Sequence, residues 1–66
     1  MTKKDYELIA FEVKRTLMII NDSGVDGKDK VMALATMSQF VKCLDHALIS
    51  DNPRFDSDKF EEACGL

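Results

Sequence analysis

The chain has 66 residues, of which 45% are hydrophobic and 32% charged, so it contains one small globular domain rather than two domains or a disordered tail. Nine lysines and arginines stand against twelve aspartates and glutamates, a net charge of -3 that argues against general nucleic-acid binding, which needs a basic surface. A domain of this length rarely provides both a core and the rigid support that catalysis needs, so we expect no enzyme and no catalytic residue.

Nothing in the chain points to secretion, a membrane span or a metal. Three acidic residues among the first twelve interrupt any apolar signal segment, and the longest apolar run, residues 17–20, is too short to cross a bilayer. Cys43 and Cys64 lie 21 positions apart, a spacing that suggests neither a zinc site nor a disulfide framework. We therefore expect free thiols, no metal or cofactor, and a location in a reducing cytoplasm.

The first predicted helix runs from about residue 3 to about residue 21. Thr2 and Asp5 have the spacing of a capping box, in which each side chain accepts a hydrogen bond from the other residue's backbone. Asn21 opens a run of turn-forming residues that ends the helix. Six apolar side chains share one arc of this helix and should face the core: Tyr6, Ile9, Ala10, Val13, Leu17 and Ile20.

The reverse face of this helix is also apolar, although a helix in a small domain usually buries one side only. Around Lys4 and Arg15 it carries four large apolar side chains: Leu8, Phe11, Met18 and Ile19. Two explanations stay open: a short third helix and the stems of Lys4 and Arg15 cover this face, or a second chain does, most commonly in a symmetric homodimer. We expect a homo-oligomer whose interface contains Leu8, Phe11, Arg15, Met18 and Ile19.

The second predicted helix runs from residue 27 to about residue 50 and is the longest element. Asp26 and Asp29 repeat the capping-box spacing at its start. Pro53 should end the helix, because proline restricts the residue before it to an extended conformation. Its central apolar stripe consists of Ala33, Leu34, Met37, Val41, Leu44 and Leu48. Four more apolar residues should widen this stripe: Val31, Phe40, Ala47 and Ile49. Because only five or six residues join the two helices, we expect an antiparallel hairpin with the main stripes facing each other.

A third, short helix should cover residues 57–64 and complete an all-α fold in a single domain, residues 1–66. Asp56 is the expected N-cap and Gly65 the C-terminal cap. Phe55 and Phe60 have the spacing of a hydrophobic staple, which packs the residue before the cap against one in the first turn. A helix of about eight residues is marginal in water, so these aromatic rings should dock it on the hairpin.

One corner of the chain could hold an anion. Arg54 and Phe55 place a guanidinium and an aromatic ring beside the start of the third helix, where free N–H groups favour negative charge. The start of the first helix offers a similar pairing of two lysines with a tyrosine. The candidate ligand-binding residues are Lys3, Lys4, Tyr6, Arg54 and Phe55. The alternative is structural: Phe55 staples the third helix and Arg54 pairs with a nearby carboxylate such as Asp58.

Two further patterns suggest chemistry only at first sight. Cys43 and His46 share one side of the second helix, but no third ligand or oxyanion-binding group accompanies them, so we interpret them as solvent-exposed. The loop at residues 22–27 has acidic residues at two calcium-ligand positions, yet its register places Gly24 and Ala33 where ligands are required. A turn between two helices explains that loop better than a calcium site.

Three short segments near the two ends of the chain carry a resemblance to known proteins. Residues 2–10 read Thr-Lys-Lys-Asp-Tyr-Glu-Leu-Ile-Ala, residues 52–56 read Asn-Pro-Arg-Phe-Asp, and residues 60–65 fit Phe-x-x-Ala-Cys-Gly. These segments resemble a group of very short proteins encoded by tailed bacteriophages and prophages. That group is mostly of unknown function, so the resemblance implies a phage origin and the cytoplasm of a host cell more than an activity.

The apolar reverse face and the phage-like ends together suggest a function by binding. We expect a small, oligomeric interaction protein that inhibits a host process such as antiviral defence through stoichiometric binding to a host protein. The alternative is a sponge, in which the candidate ligand-binding residues of two chains enclose a nucleotide second messenger. A third hypothesis is a regulatory or virion structural subunit. None of the three involves general nucleic-acid binding or a membrane.

Overall fold

Three helices make up most of the protein. The computed structural model describes residues 2–66, which contain α1 (Lys3–Asp22), α2 (Gly27–Asp51) and α3 (Ser57–Ala63). No strand occurs in this part of the chain. The prediction of an all-helical fold is confirmed, and each helix ends within one residue of the expected position.

The helices α1 and α2 lie side by side. At 1.5 Å per residue, α2 alone is about 37 Å long, and the longest dimension of the protein is 38 Å. The helix α1 therefore runs back along α2 instead of extending it, which is the hairpin that the short connection predicts. Gly24 in this connection has φ +84°, a conformation that glycine adopts without the strain a side chain would bring.

The first helix begins with the predicted capping box. The backbone N–H of Thr2 donates a hydrogen bond to Asp5 Oδ2 at 2.9 Å, and the N–H of Asp5 donates to Thr2 Oγ1 at 3.3 Å. The bond from the Thr2 backbone favours the ionised carboxylate and lowers the pKa of Asp5. Two N–H groups that the helix cannot pair internally are satisfied in this way.

The second helix begins where expected, but the prediction of a capping box there is wrong. Asp26 occupies the N-cap position, and its side chain makes no capping hydrogen bond. The following residue, Gly27, has φ +63°. The backbone therefore enters the helix through the left-handed region, which does not bring the Asp26 carboxylate onto the free N–H groups of the first turn.

The third helix has both predicted end structures. Asp56 Oδ1 accepts a hydrogen bond from the Lys59 N–H at 3.1 Å, and the rings of Phe55 and Phe60 lie edge to face with centroids 5.4 Å apart. At the other end, Gly65 has φ +86° and donates its N–H to the Glu62 carbonyl at 3.0 Å, while the next N–H bonds to the Glu61 carbonyl at 3.1 Å. This paired closure is a Schellman motif.

The core is small and lies where all three helices meet. Its buried apolar residues are Ala10, Val13, Val41, Leu48, Phe60 and Cys64. Half-buried side chains pack around them: Tyr6, Ile9, Leu17, Met37, Leu44 and Phe55. The predicted core stripes of α1 and α2 are therefore confirmed as the faces that pack together.

Four residues expected to widen the buried stripe of α2 do not do so. Val31 is 66% exposed and Phe40 50%, and Ala47 and Ile49 are exposed as well. The fully buried residues of α2 all lie at position 41 or beyond. Because α3 has seven residues, the amino-terminal part of α2 has α1 on one side and no second helix to cover Val31. Ala47 and Ile49 lie beside the buried residues of the carboxyl-terminal part, but on sides of α2 that neither α1 nor α3 covers.

The two aspartates at helix starts provide a test of this description. Replacing Asp56 with Ala removes a capping hydrogen bond and should lower the free energy of unfolding by about 1 kcal/mol. Replacing Asp26 with Ala removes no such bond and should cost less than about half of that value. Urea titration followed by circular dichroism measures both. Equal losses, or a larger loss for Asp26→Ala, would contradict the assignment of the caps.

Candidate functional site

A cleft of about 550 Å³ opens where the first turn of α1 meets the α2–α3 corner. Residues from both ends of the sequence line it: Lys3, Tyr6, Glu7, Ala10, Asn52, Arg54, Phe55, Asp56, Lys59, Phe60 and Ala63. We call this the aromatic cleft, because the rings of Tyr6, Phe55 and Phe60 form its apolar wall. Such a mixture of rings and polar groups is typical of sites for small organic ligands.

The corner that positions Phe55 is fixed by the backbone. Asn52 ends α2, and its side-chain Oδ1 accepts a hydrogen bond from the Arg54 N–H at 3.1 Å. The Phe55 N–H donates to the Asn52 carbonyl at 2.9 Å. This tight turn holds the Phe55 ring against Tyr6 of α1, with ring centroids 4.9 Å apart. The three rings therefore tie α1 to α3 and build the wall of the cleft with the same contacts.

The aromatic cleft carries three cations and two carboxylates, and the carboxylates are already engaged. Lys3 Nζ lies 4.0 Å from Glu7 Oε1, a pair that is open to solvent and therefore weak. Asp56 caps α3 through the Lys59 N–H. Within residues 2–66, Arg54 forms no ion pair with Asp58 or with any other carboxylate. Its guanidinium is therefore available to an anion in the cleft.

Tyr6 places a polar atom inside this apolar wall. Its Oη is buried and, among the residues that the structure describes, has no hydrogen-bond partner. A buried hydroxyl without a partner costs free energy. The ring of Tyr6, together with Arg54 and Lys59, equips the cleft to hold a molecule that combines a flat apolar part with negative charge.

The structure brings four of the five candidate ligand residues together and leaves one outside. Lys3, Tyr6, Arg54 and Phe55 all line the aromatic cleft, whereas Lys4 does not. Sequence reasoning missed Lys59, which lies three residues after Asp56 and directly before Phe60. The 3–4 spacing of residues 56, 59, 60 and 63 was the signal that places Lys59 on the lining side of α3.

The reverse face of α1 is exposed, as the interface prediction requires. Leu8, Phe11, Met18 and Ile19 expose 63%, 59%, 58% and 57% of their surface, and Arg15 lies among them with Nη1 3.5 Å from Glu12 Oε1. We call these four apolar residues the exposed stripe. The helix α3 packs on a different side of α1, so the explanation in which α3 and the stems of Lys4 and Arg15 cover this face does not hold.

An apolar groove of about 480 Å³ adjoins the exposed stripe between α1 and α2. The α1 wall includes Leu8 and Ile9, and the α2 wall consists of Met37, Phe40 and Leu44. The groove therefore extends the exposed stripe onto the second helix. Sequence reasoning missed this extension because it assigned Phe40 to the buried shoulder of α2.

Asp45 is a buried carboxyl in α2 that sequence reasoning also missed. It is 8% exposed, and its Oδ1 has no hydrogen-bond partner among residues 2–66. Burial raises the pKa of Asp45 to about 6, and Glu61 and Asp58 of α3 act in the same direction while His46 opposes them. The signal in the sequence was the spacing: Asp45 follows Val41 by four positions and precedes Leu48 by three.

The thiols do not form a reactive site with these acids. Burial, followed by the charges of Asp45 and Glu61, raises the pKa of Cys64 to about 11, so this thiol stays protonated at neutral pH. Cys43 is exposed and accepts a long hydrogen bond from Gln39 Nε2 at 3.7 Å. Residues 2–66 hold no group of three acidic, cysteine or histidine side chains arranged for a metal ion. No helix in that range combines the length and apolar character needed to cross a membrane.

Comparison with known proteins gives no assignment: no family model, curated protein or solved structure matches the chain.

The buried carboxyl makes stability depend on pH in a defined direction. The folded chain keeps the Asp45 proton to a higher pH than the unfolded chain does, so this group lowers the free energy of unfolding as the pH rises from about 4 to about 6. Replacing Asp45 with Asn should therefore stabilise the protein at pH 7.5, by on the order of 1 to 3 kcal/mol. At pH 4.5 the two proteins should differ little.

Urea unfolding at the two pH values measures this difference, and Asp51→Asn, at an exposed position in the same helix, is the matched control. The control removes a negative charge from the carboxyl end of α2 and should gain at most about 0.5 kcal/mol at pH 7.5. A loss of stability in Asp45→Asn at pH 7.5 would contradict the account, because it would mean that the folded state uses the ionised carboxylate.

Proposed function

We propose that this protein acts by binding, as a small helical interaction protein that associates with itself through the exposed stripe of α1. The observation that supports the proposal is the exposure of Leu8, Phe11, Met18 and Ile19, each more than half open to solvent. Large apolar side chains grouped on one face mark an interaction surface. The adjoining groove continues this surface onto Phe40.

The size of the protein surface supports the same proposal. A compact monomer of 7.4 kDa should expose about 4,200 Å², whereas this chain exposes 5029 Å². The excess is about 800 Å², which is close to what each partner buries in a protein interface of standard size. The radius of gyration of 12.7 Å likewise exceeds the value of about 11 Å for a compact chain of this length.

The biological role that we propose follows the resemblance of the chain ends to short bacteriophage proteins. In that setting, an oligomer presents its remaining surface to a host protein in the cytoplasm and inhibits a host process, such as antiviral defence, in a fixed stoichiometry. A regulatory or virion structural subunit would use the same exposed stripe against other phage proteins. Self-association is common to both roles and is the part that can be tested on the purified protein.

Self-association can be tested by one substitution in the exposed stripe. The wild-type chain should sediment as a dimer or larger assembly at micromolar concentrations, and Phe11→Lys should raise its dissociation constant by about 30-fold or more, as expected for an interface hot spot. Phe11 is 59% exposed, so the substitution should leave the fold intact. Sedimentation velocity over a concentration series measures the assembly.

Val31→Lys is the control for this experiment, because Val31 is 66% exposed and lies outside the exposed stripe. It should leave the assembly unchanged. A wild-type chain that stays monomeric over the whole series would refute self-association. An equal effect of the two substitutions would show that the surface responsible is not the exposed stripe.

The aromatic cleft supports a second candidate function, the capture of a nucleotide second messenger. The observation that favours it is that Lys3, Tyr6, Arg54 and Phe55 line one cleft together with Lys59. A base can pack on the aromatic wall while the guanidinium and the ammonium groups hold phosphate oxygens. Binding of this kind needs no catalytic group.

Calorimetry with a cyclic dinucleotide and with ADP-ribose tests this second function. We expect binding of at least one of these ligands, weakened about tenfold or more in Arg54→Ala through the loss of charge-assisted hydrogen bonds. Lys28→Ala removes an exposed positive charge far from the cleft in sequence and should bind like the wild type. Absence of binding heat with both ligands, or equal losses in the two variants, would remove this candidate.

A further inference from the structure

Six residues of α1 that lie outside the core follow a regular spacing. They are spaced alternately by four and three positions: Lys4, Leu8, Phe11, Arg15, Met18 and Asp22. At 3.6 residues per turn this spacing keeps all six side chains within an arc of about 80°. We call this set the α1 seam. It includes three residues of the exposed stripe and carries one charge at its middle and one at each end.

The seam has the form of a coiled-coil surface without its partner. Alternate spacings of three and four are what a helix uses to pack along another helix. Leu8, Phe11 and Met18 are each more than half exposed, and Lys4 and Asp22 are exposed too. Among residues 2–66, neither Lys4 nor Asp22 forms an ion pair.

The two end charges of the seam are unfavourable for an isolated α1. A helix has partial positive charge at its amino end and partial negative charge at its carboxyl end. Lys4 lies in the first turn and Asp22 in the last, so each charge faces a helix end of its own sign. A second helix running antiparallel would reverse both situations, because each charge would then lie beside the opposite end of its neighbour.

We propose that a second copy of this chain covers the seam. The two α1 helices are antiparallel, and the two-fold axis that relates them crosses the seam at the level of residue 13 along the helix. This inference rests on the proposed self-association and specifies its geometry. The axis creates three kinds of contact between the copies: Lys4 with Asp22, Leu8 with Met18, and Phe11 with Arg15. Each contact occurs twice in the dimer, so the charges at both ends of the seam are paired.

Arg15 fixes the register of this pairing. It is the one charged residue in the middle of the seam, where a polar group specifies which layers align. In the proposed register its guanidinium lies against the Phe11 ring of the second copy, a favourable contact between a cation and an aromatic face. Glu12 of its own chain lies 3.5 Å away and keeps the charge partnered. A shift by one heptad would place Arg15 opposite Met18 or Lys4 of the second copy, and neither residue offers an aromatic face to the guanidinium.

Charge reversal at the ends of the seam tests the register. Lys4→Asp and Asp22→Lys each turn two attractive pairs into two repulsive ones, so each variant should raise the dissociation constant of the dimer by about tenfold. The double variant Lys4→Asp/Asp22→Lys restores opposite charges across an antiparallel seam and should recover wild-type association. In a parallel dimer the double variant would restore nothing.

Two controls accompany these variants, one for the folding of α1 and one for the change in net charge. Each substitution removes a charge that opposes the helix ends of α1, so neither variant should unfold α1, and circular dichroism checks this. Lys28→Asp and Asp51→Lys make the same charge changes at exposed positions in α2 and should leave the dissociation constant unchanged. Sedimentation equilibrium at low ionic strength gives all of the constants.

The outcomes separate the register from the proposed function. Weakening by both single variants with recovery in the double variant supports the antiparallel seam. A wild-type dimer that none of the α1 substitutions affects overturns the register and leaves self-association standing. A wild-type chain that is monomeric at all concentrations overturns both.

Discussion

The structure depends on one constraint: α1 is apolar on two opposite faces, and the rest of the chain is large enough to cover only one of them. The packed face meets α2 and α3 through Ala10 and Val13. The other face stays open because α3 has only seven residues and packs on the core-facing side of α1. Burying a large apolar side chain contributes on the order of 1.5 to 3 kcal/mol, so an uncovered face is a substantial unused source of binding free energy.

A second constraint joins the distant ends of the chain. The rings of Tyr6, Phe55 and Phe60 form a continuous contact, with centroid distances of 4.9 and 5.4 Å. Without this contact α3 would be a marginal peptide helix. The same contact leaves a cleft beside it and brings Arg54 near the start of α1. Stability of the third helix and formation of the aromatic cleft therefore depend on the same three side chains.

The features that could be predicted from the sequence are those that depend on residues close together in the chain. Thr2, Asp56 and Gly65 act through neighbours within a few positions, so their roles follow from spacing alone. Phe40 was assigned to the buried shoulder of α2, and whether that shoulder is covered depends on how far α3 extends along α2, which no local pattern states. Asp45 was overlooked, although its spacing from Val41 and Leu48 places it on the buried stripe of α2. The predicted capping box at Asp26 is wrong for a different reason, because the positive φ of Gly27 redirects the backbone at the start of α2. The candidate ligand residues were identified by type, but only the fold could separate Lys4 from the cleft. Lys59 was missed, although its spacing from Asp56, Phe60 and Ala63 places it on the same side of α3.

The central claim is that a second copy covers the open face of α1, and nuclear Overhauser contacts in a mixed sample test it most directly. Half of the chains would be isotope-labelled and half unlabelled, so that only contacts between chains are observed. Leu8 and Met18 lie ten residues apart, about 15 Å along α1, which is too far for a contact within one chain. The account predicts contacts between the Leu8 methyl groups of one chain and the Met18 methyl group of the other. Resolved signals from both side chains without any contact between chains would contradict it.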